Sequence, residues 1–117
     1  SGRLYLDGNV SVEEDSQSIK DRKNWSANGY IELTIIITPK GDIHKKPIIT
    51  FRGLPIYEEE DFIYGLEDEI QKTTKTFSLT NKKQDYNLID TLKIVCRKFS
   101  KEKTGKKPFT NINLIRI

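Results

Sequence analysis

The strictest alternation of apolar and polar residues lies between Tyr30 and Thr38, where the sequence reads YIELTIIIT. Every second residue is a large aliphatic one, so one face of an extended strand would be buried. The turn-forming residues Pro39 to Asp42 follow. Ile43 to Leu54 then predicts a returning strand, strongest over Ile48 to Arg52. Together these segments predict an antiparallel β-hairpin.

A helical spacing of apolar residues begins after the hairpin. The acidic run Glu58 to Asp61 is typical of a helix N-terminus, where carboxylates complement the helix dipole. The apolar positions continue at helical spacing to about Phe77, which predicts the first helix. Gly65 lies inside this helix and costs up to ~1 kcal/mol relative to alanine, so it indicates a close packing contact.

A second helix is predicted from about Asp85 to Lys103, after a polar loop. Its apolar stripe includes Cys96. Lysines crowd its last turns, Gly105 suits the position after a helix end, and Pro108 blocks continuation.

The segment Phe109 to Ile117 predicts a last strand with apolar residues on both faces. Ile112 and Leu114 lie on one face, and Phe109, Ile115 and Ile117 lie on the other. Two helices packed on one side of a three-stranded sheet would leave the other face of this strand uncovered. These five residues are therefore the candidate interface residues, and another chain or domain is the expected cover.

The predicted elements define an α+β domain of order β-β-α-α-β over residues 29–117, with two helices packed on one face of the sheet. Residues 1–28 are mostly polar and are predicted to form an extended arm or linker that leads from a further domain. A chain of 117 residues leaves room for one substantial domain. The chain contains no methionine, and we do not expect Ser1 to be a natural start.

The residues that carry most metal and nucleophilic chemistry are scarce. The chain has one histidine, His44, and one cysteine, Cys96, whereas a zinc site needs three or four converging ligands. Cys96 is expected to be a buried, inert thiol, and the acidic runs are explained by helix ends and solubility. We therefore predict no catalytic residue, no metal ligand and no cofactor within this chain. With a lone cysteine and no apolar run long enough for a membrane, a cytoplasmic setting is expected.

Charge is unevenly distributed although the formal net charge is only +3. Residues 78–108 contain nine Lys or Arg against three acids, whereas residues 58–69 contain seven acids and no base. One interpretation is a surface that holds RNA phosphates. The other is a solvated helix end that complements its own dipole. The candidate RNA contacts are Lys98, Lys101, Lys103, Lys106 and Lys107.

Several segments together resemble the C-terminal domain of bacterial ribonuclease J. The run IKDRKNWSANGYI, residues 19–31, is similar to the opening of that domain, and Leu6 to Gly8 is similar to the connector from its catalytic core. Phe51 to Pro55 resembles its second strand and exit, and KEKTGKKPFTNINLIRI, residues 101–117, resembles its closing helix end, turn and strand. Each motif alone is weak, but their order and spacing cover nearly the whole chain.

The resemblance implies a parent enzyme of the metallo-β-lactamase/β-CASP family, a 5′-to-3′ exonuclease and endonuclease with two zinc ions. The His-x-His-x-Asp-His motif that binds metal in that family is absent here. What the resemblance implies for this chain is therefore a non-catalytic domain that supports dimerisation and the active assembly, with its own catalytic core as a partner. Two alternatives stay open: an RNA-binding module that uses Lys98 to Lys107, and an independent regulatory protein.

Overall fold

The computed structural model describes residues 27–117. Its architecture is a three-stranded sheet with two helices on one face, in the order β-β-α-α-β, which confirms the predicted α+β class. The first 26 residues, which carry most of the predicted arm, lie outside the described residues.

The three strands are β1 (Tyr30–Ile37), β2 (Ile48–Arg52) and β3 (Phe109–Arg116). β1 is the central strand of the order β2-β1-β3. It pairs antiparallel with β2, as the predicted hairpin requires, and parallel with β3 over its whole length.

The returning strand is shorter than the predicted Ile43 to Leu54. Ile43 makes only an isolated bridge to Ile37, and the regular ladder begins at Ile48. Between them Lys45 adopts a left-handed conformation with a φ of 63°, which an extended ladder does not accommodate. Pro47 follows and supplies no backbone N–H to a ladder. These two residues separate the bridge from the strand.

The two helices are α1 (Glu59–Thr74) and α2 (Asp85–Thr104), and a 3-10 turn, Lys82–Gln84, leads into α2. α1 ends before the predicted Phe77 because its last turn is rich in threonine. The hydroxyl groups of Thr73, Thr74 and Thr76 donate to backbone carbonyls of the same turns and so compete with regular helix bonding. Phe77 still packs against the core from outside the helix.

Two glycines have the roles that their positions predict. A Cβ atom on Gly65 would lie 2.7 Å from Cζ of Phe99, so this glycine lets α1 approach α2 closely. Gly105 has a φ of 80°, and its N–H donates to the carbonyl of Lys101 at 2.9 Å. It therefore ends α2 with a left-handed residue and turns the chain toward β3.

The core lies between the sheet and the helices. The inward side chains of β1 are fully buried, and those of α1 and α2 pack over them. The buried apolar side chains of the core are Ile31, Leu33, Ile35, Ile37, Phe62, Leu66, Ile70, Leu88, Leu92, Cys96, Phe99 and Ile112. All of this packing uses one face of the sheet.

Candidate functional site

The face of the sheet turned away from α1 and α2 is called the open face here. β1 contributes its even-numbered residues to it, because the odd-numbered ones are in the core. Their register partners on β2 and β3 complete the surface. The residues of the open face are Tyr30, Glu32, Thr34, Ile36, Ile48, Thr50, Arg52, Phe109, Asn111, Asn113, Ile115 and Ile117.

A hydrogen-bonded polar network occupies the middle of the open face. Asn113 donates through Nδ2 to Oε2 of Glu32 at 2.9 Å and to Oγ1 of Thr34 at 3.2 Å. Tyr30 donates its hydroxyl to Oε1 of Glu32 at 3.2 Å. Asn111 adds longer contacts to Glu32 and Asn113. The half-buried carboxylate of Glu32 is thus surrounded by hydrogen-bond donors, which offset the cost of removing a charge from water.

Apolar groups lie at both ends of this network. At one end the rings of Tyr30 and Phe109 stack, with centroids 5.9 Å apart and planes 14° from parallel. At the other end Ile36 is the register partner of Ile115. Ile117 follows with 61% of its surface exposed. The open face therefore carries a polar centre with apolar groups on both sides of it.

The five candidate interface residues divide between the two faces of β3. Ile112 is a core residue, and Leu114 packs against the core. Phe109, Ile115 and Ile117 belong to the open face. The division matches the alternation read from the sequence, and it places three of the five residues on the side of the sheet opposite α1 and α2.

A second surface lies beside Phe109 and is called the basic cleft here. It has a volume of about 400 Å³. Two of its cations, Lys93 and Arg97, come from α2, and the third, Lys107, comes from the loop before β3. Among the described residues its lining is Asn28, Lys93, Arg97, Lys107, Phe109 and Thr110.

The candidate RNA contacts do not form one cluster. Lys107 is the one that lines the basic cleft. Lys103 lies over the ring of Phe99, 5.6 Å from its centroid, and lines a different cleft beside the start of α1. Lys101 donates through Nζ to the carbonyl of Gly105 at 3.3 Å. Lys98 is exposed on α2, and Lys106 is half-buried in the loop, where its backbone N–H bonds Thr104.

Lys93 and Arg97 are cleft residues that the sequence reasoning did not place among the candidates. Their spacing of four residues puts them on one side of a helix, which was the available signal. Their meeting with Lys107 depends on the turn at Gly105, which brings the loop back along α2.

Cysteine and histidine, the residues that most often carry nucleophilic or metal chemistry, each occur once among the described residues. Burial raises the pKa of the Cys96 thiol to about 12, so the reactive thiolate is disfavoured. His44 is exposed, and its backbone N–H donates to the carbonyl of Ile36 at 2.7 Å. Within residues 27–117 no three His, Cys, Asp or Glu side chains converge to hold a metal ion. In the same range neither helix is long and apolar enough to cross a membrane.

Comparison with known proteins gives two findings. A family model described as the ribonuclease J C-terminal domain matches residues 17–117. Ribonuclease J of Sinorhizobium meliloti is 21% identical to this chain over 121 residues, covering 99% of the chain and 21% of that protein. The chain thus spans about a fifth of the length of this curated relative. The resemblance drawn from the sequence motifs is confirmed by the family match.

Proposed function

Because the chain belongs to the ribonuclease J C-terminal domain family, we propose that it serves a ribonuclease J-like nuclease as a non-catalytic assembly domain. In this role it holds the catalytic core of the parent protein and a second copy of itself in the active arrangement. The parent processes and degrades RNA in the cytoplasm.

The open face is the observation that carries this proposal. It presents Ile115 and Ile117 beside Ile36 on the side of the sheet that α1 and α2 do not cover. Exposed apolar positions that adjoin one another are typical of surfaces that bind another protein. The Glu32 network adds directional hydrogen bonds, which favour one partner orientation over others.

The parent's chemistry belongs outside the described residues. Two zinc ions would need two sets of converging His, Cys or carboxylate ligands. Residues 27–117 do not fit that requirement, because no group of three such side chains forms there. The proposal therefore assigns substrate cleavage to other parts of the parent and assigns none of its steps to this domain.

The assembly role is tested by changing the open face in the full-length parent. Ile115→Lys combined with Ile117→Lys places two charges on the proposed interface. Ile94→Lys is the control for a new lysine elsewhere on the surface, because Ile94 is 66% exposed on the outer side of α2. Light scattering should show a smaller assembly for the double variant and an unchanged one for the control. An unchanged assembly in the double variant, with unchanged ribonuclease activity, would overturn the proposal.

The non-catalytic assignment has its own test on this chain alone. The purified chain should not cleave RNA when zinc or manganese is added. Metal-dependent cleavage above that of a mock preparation, abolished by a chelator, would contradict the assignment.

A further inference from the structure

The basic cleft holds three cations that no acid neutralises within the described residues. The ion pairs recorded there are Lys72 with Asp68 and Arg116 with Asp85. Lys93, Arg97 and Lys107 are all exposed and belong to neither. No carboxylate is among the described residues that line the cleft. Positive charge is therefore concentrated on one concave surface.

The cleft is built from positions that the fold holds in place. Lys93 and Arg97 are one helical turn apart on the outer side of α2. Lys107 follows the left-handed Gly105 and precedes Pro108, which is fully buried. Phe109 then donates its backbone N–H to the carbonyl of Gly29 at 2.9 Å, which anchors the start of β3. The two walls of the cleft are thus set by a helix and by an anchored loop.

The residue types suit a phosphodiester chain. Arg97 offers a planar fork of N–H donors, which matches two phosphate oxygens, while Lys93 and Lys107 act as point charges. Asn28, which also lines the cleft, adds an amide that can bond a sugar or base edge. Three cations from two walls can contact successive phosphates of a strand that bends into the cleft. A flexible single strand follows so small a concave surface more readily than a rigid duplex does.

We propose that the basic cleft binds the phosphate backbone of single-stranded RNA through Lys93, Arg97 and Lys107. The choice of RNA as ligand rests on the proposed function of the domain in an RNA-processing enzyme. The cleft places RNA beside Phe109, at the edge of the open face. The RNA contacts then come from α2 and from the loop that follows it, whereas Lys103 stays over the ring of Phe99.

The test compares three charge-matched variants of this chain. The cleft variant is Lys93→Gln, Arg97→Gln and Lys107→Gln. The helix-end variant is Lys98→Gln, Lys101→Gln and Lys103→Gln. The distant variant is Lys40→Gln, Lys45→Gln and Lys75→Gln, at the hairpin and beyond α1. Binding of a short labelled single-stranded RNA is measured by fluorescence anisotropy across a salt series, and circular dichroism verifies that each variant is folded.

The cleft variant should bind at least about tenfold more weakly, and the other two should lose about threefold or less. Each lost phosphate contact lowers the slope of log affinity against log salt by about 0.7, so the cleft variant should lose a slope of about two. Equal losses in all three variants would show diffuse attraction and overturn the cleft. Undetectable RNA binding by the unaltered chain at low salt would also overturn it.

Competition separates RNA from an acidic protein partner. Unlabelled single-stranded RNA should displace the probe at lower concentration than duplex RNA or polyglutamate. Polyglutamate that competes as well as RNA would overturn the proposal in favour of an acidic protein segment. Light scattering of the full-length parent carrying the cleft variant keeps the two proposals apart. If the cleft variant loses RNA binding but assembles normally, the result supports the cleft and says nothing against the interface. If Ile115→Lys and Ile117→Lys disrupt assembly, the result supports the interface and does not bear on the cleft.

Discussion

The two faces of the sheet are built from alternate residues of the same strand, yet they meet different demands. On β1 the inward residues are fully buried aliphatic side chains beneath α1 and α2. The outward residues are half-buried and include the carboxylate of Glu32. The inward face has one requirement, to fill space. The outward face has to satisfy the hydrogen bonds of its polar residues while it also carries apolar side chains.

The polar centre of the open face limits the aliphatic area that this face carries. Ile36, Ile115 and Ile117 would join a continuous aliphatic surface if the middle of the face were apolar too. Glu32 and Asn113 interrupt that surface with a bonded carboxylate and amide. A charge on a sheet face disfavours indiscriminate association and costs little when its donors are in place. One face of the sheet thus depends on close packing and the other on satisfied hydrogen bonds.

Two adjacent isoleucines of β1 should show the largest difference between the faces. Ile35→Ala removes a fully buried side chain of the covered face and should lower the free energy of unfolding by about 2–5 kcal/mol. Ile36→Ala removes the same atoms from the open face and should cost roughly 1 kcal/mol, because less area is buried there. Urea denaturation of both variants measures the difference. Equal costs would mean that the two faces are equally buried in solution.

The polar network should be stabilising in its own right. Asn113→Ala removes the donor nearest to Glu32 and leaves that half-buried carboxylate under-satisfied, so it should cost about 1–3 kcal/mol. Asn111→Ala is the control, because its contacts are longer, at 3.4 and 3.5 Å, and it should cost clearly less. The same urea titrations decide the order. If Asn111→Ala lost more stability than Asn113→Ala, Asn111 would be the principal donor to Glu32.

Burial of Cys96 on the covered side of the sheet should also make the stability of the protein depend on pH in alkaline solution. Burial raises the pKa of the Cys96 thiol to about 12 from its ordinary 9.0, so the folded protein keeps a proton that the unfolded chain loses. Stability is unaffected below about pH 9 and falls between about pH 9 and pH 12, by at most about 1.4 kcal/mol per pH unit. Cys96→Ala should lower stability near neutral pH, where it removes buried atoms, but it should flatten this slope. If the stability of both proteins fell equally above pH 9, deprotonation of Cys96 would not be the cause.

The smallest effect is expected at the border of the covered face. Arg116 donates through Nη2 to Oδ1 of Asp85 at 2.6 Å and through Nε to Oδ2 at 3.1 Å, joining the end of β3 to the start of α2. The hydrogen bonds to Asp85 raise the pKa of the guanidinium above its ordinary value. The side chains are 21% and 31% exposed. A double-mutant cycle with Arg116→Gln and Asp85→Asn should give a coupling of about 1 kcal/mol.

Salt provides the control for that cycle. Screening at high ionic strength should reduce the coupling between Arg116 and Asp85, because both side chains still contact water. The cost of Ile35→Ala should change little under the same conditions. A coupling that persists in high salt would show that the pair behaves as part of the covered core.

Local patterns in the sequence predicted most of the elements. The period of two in β1, the acidic start of α1 and the glycine after α2 each depend on nearby residues. Gly65 was also informative, because a glycine inside a helix has few explanations other than close packing. The short β2 was overestimated, because Ile43 makes a single bridge to Ile37 and the left-handed Lys45 then breaks the ladder.

Strand order and the cleft depend on distant residues, which local patterns do not report. Nothing in β3 alone indicates that it pairs parallel with β1. In the same way, the number of basic residues indicates a basic segment but does not indicate that its side chains lie on different sides of α2. Lys103 turns toward Phe99, whereas Lys93, Arg97 and Lys107 meet on the other side of α2.

The parallel pairing of β1 with β3 has a consequence for synthesis. Asn113 and its partner Glu32 are 81 residues apart, so a ribosome that adds about 5–20 residues per second makes β1 roughly 4 to 16 seconds before that partner. During this interval one edge of β1 and its isoleucine-rich run have no β3 to bind. A nascent segment of that kind is prone to join other chains. A charge within such a run opposes that association, and Glu32, a hydrogen-bond acceptor in the folded protein, supplies one.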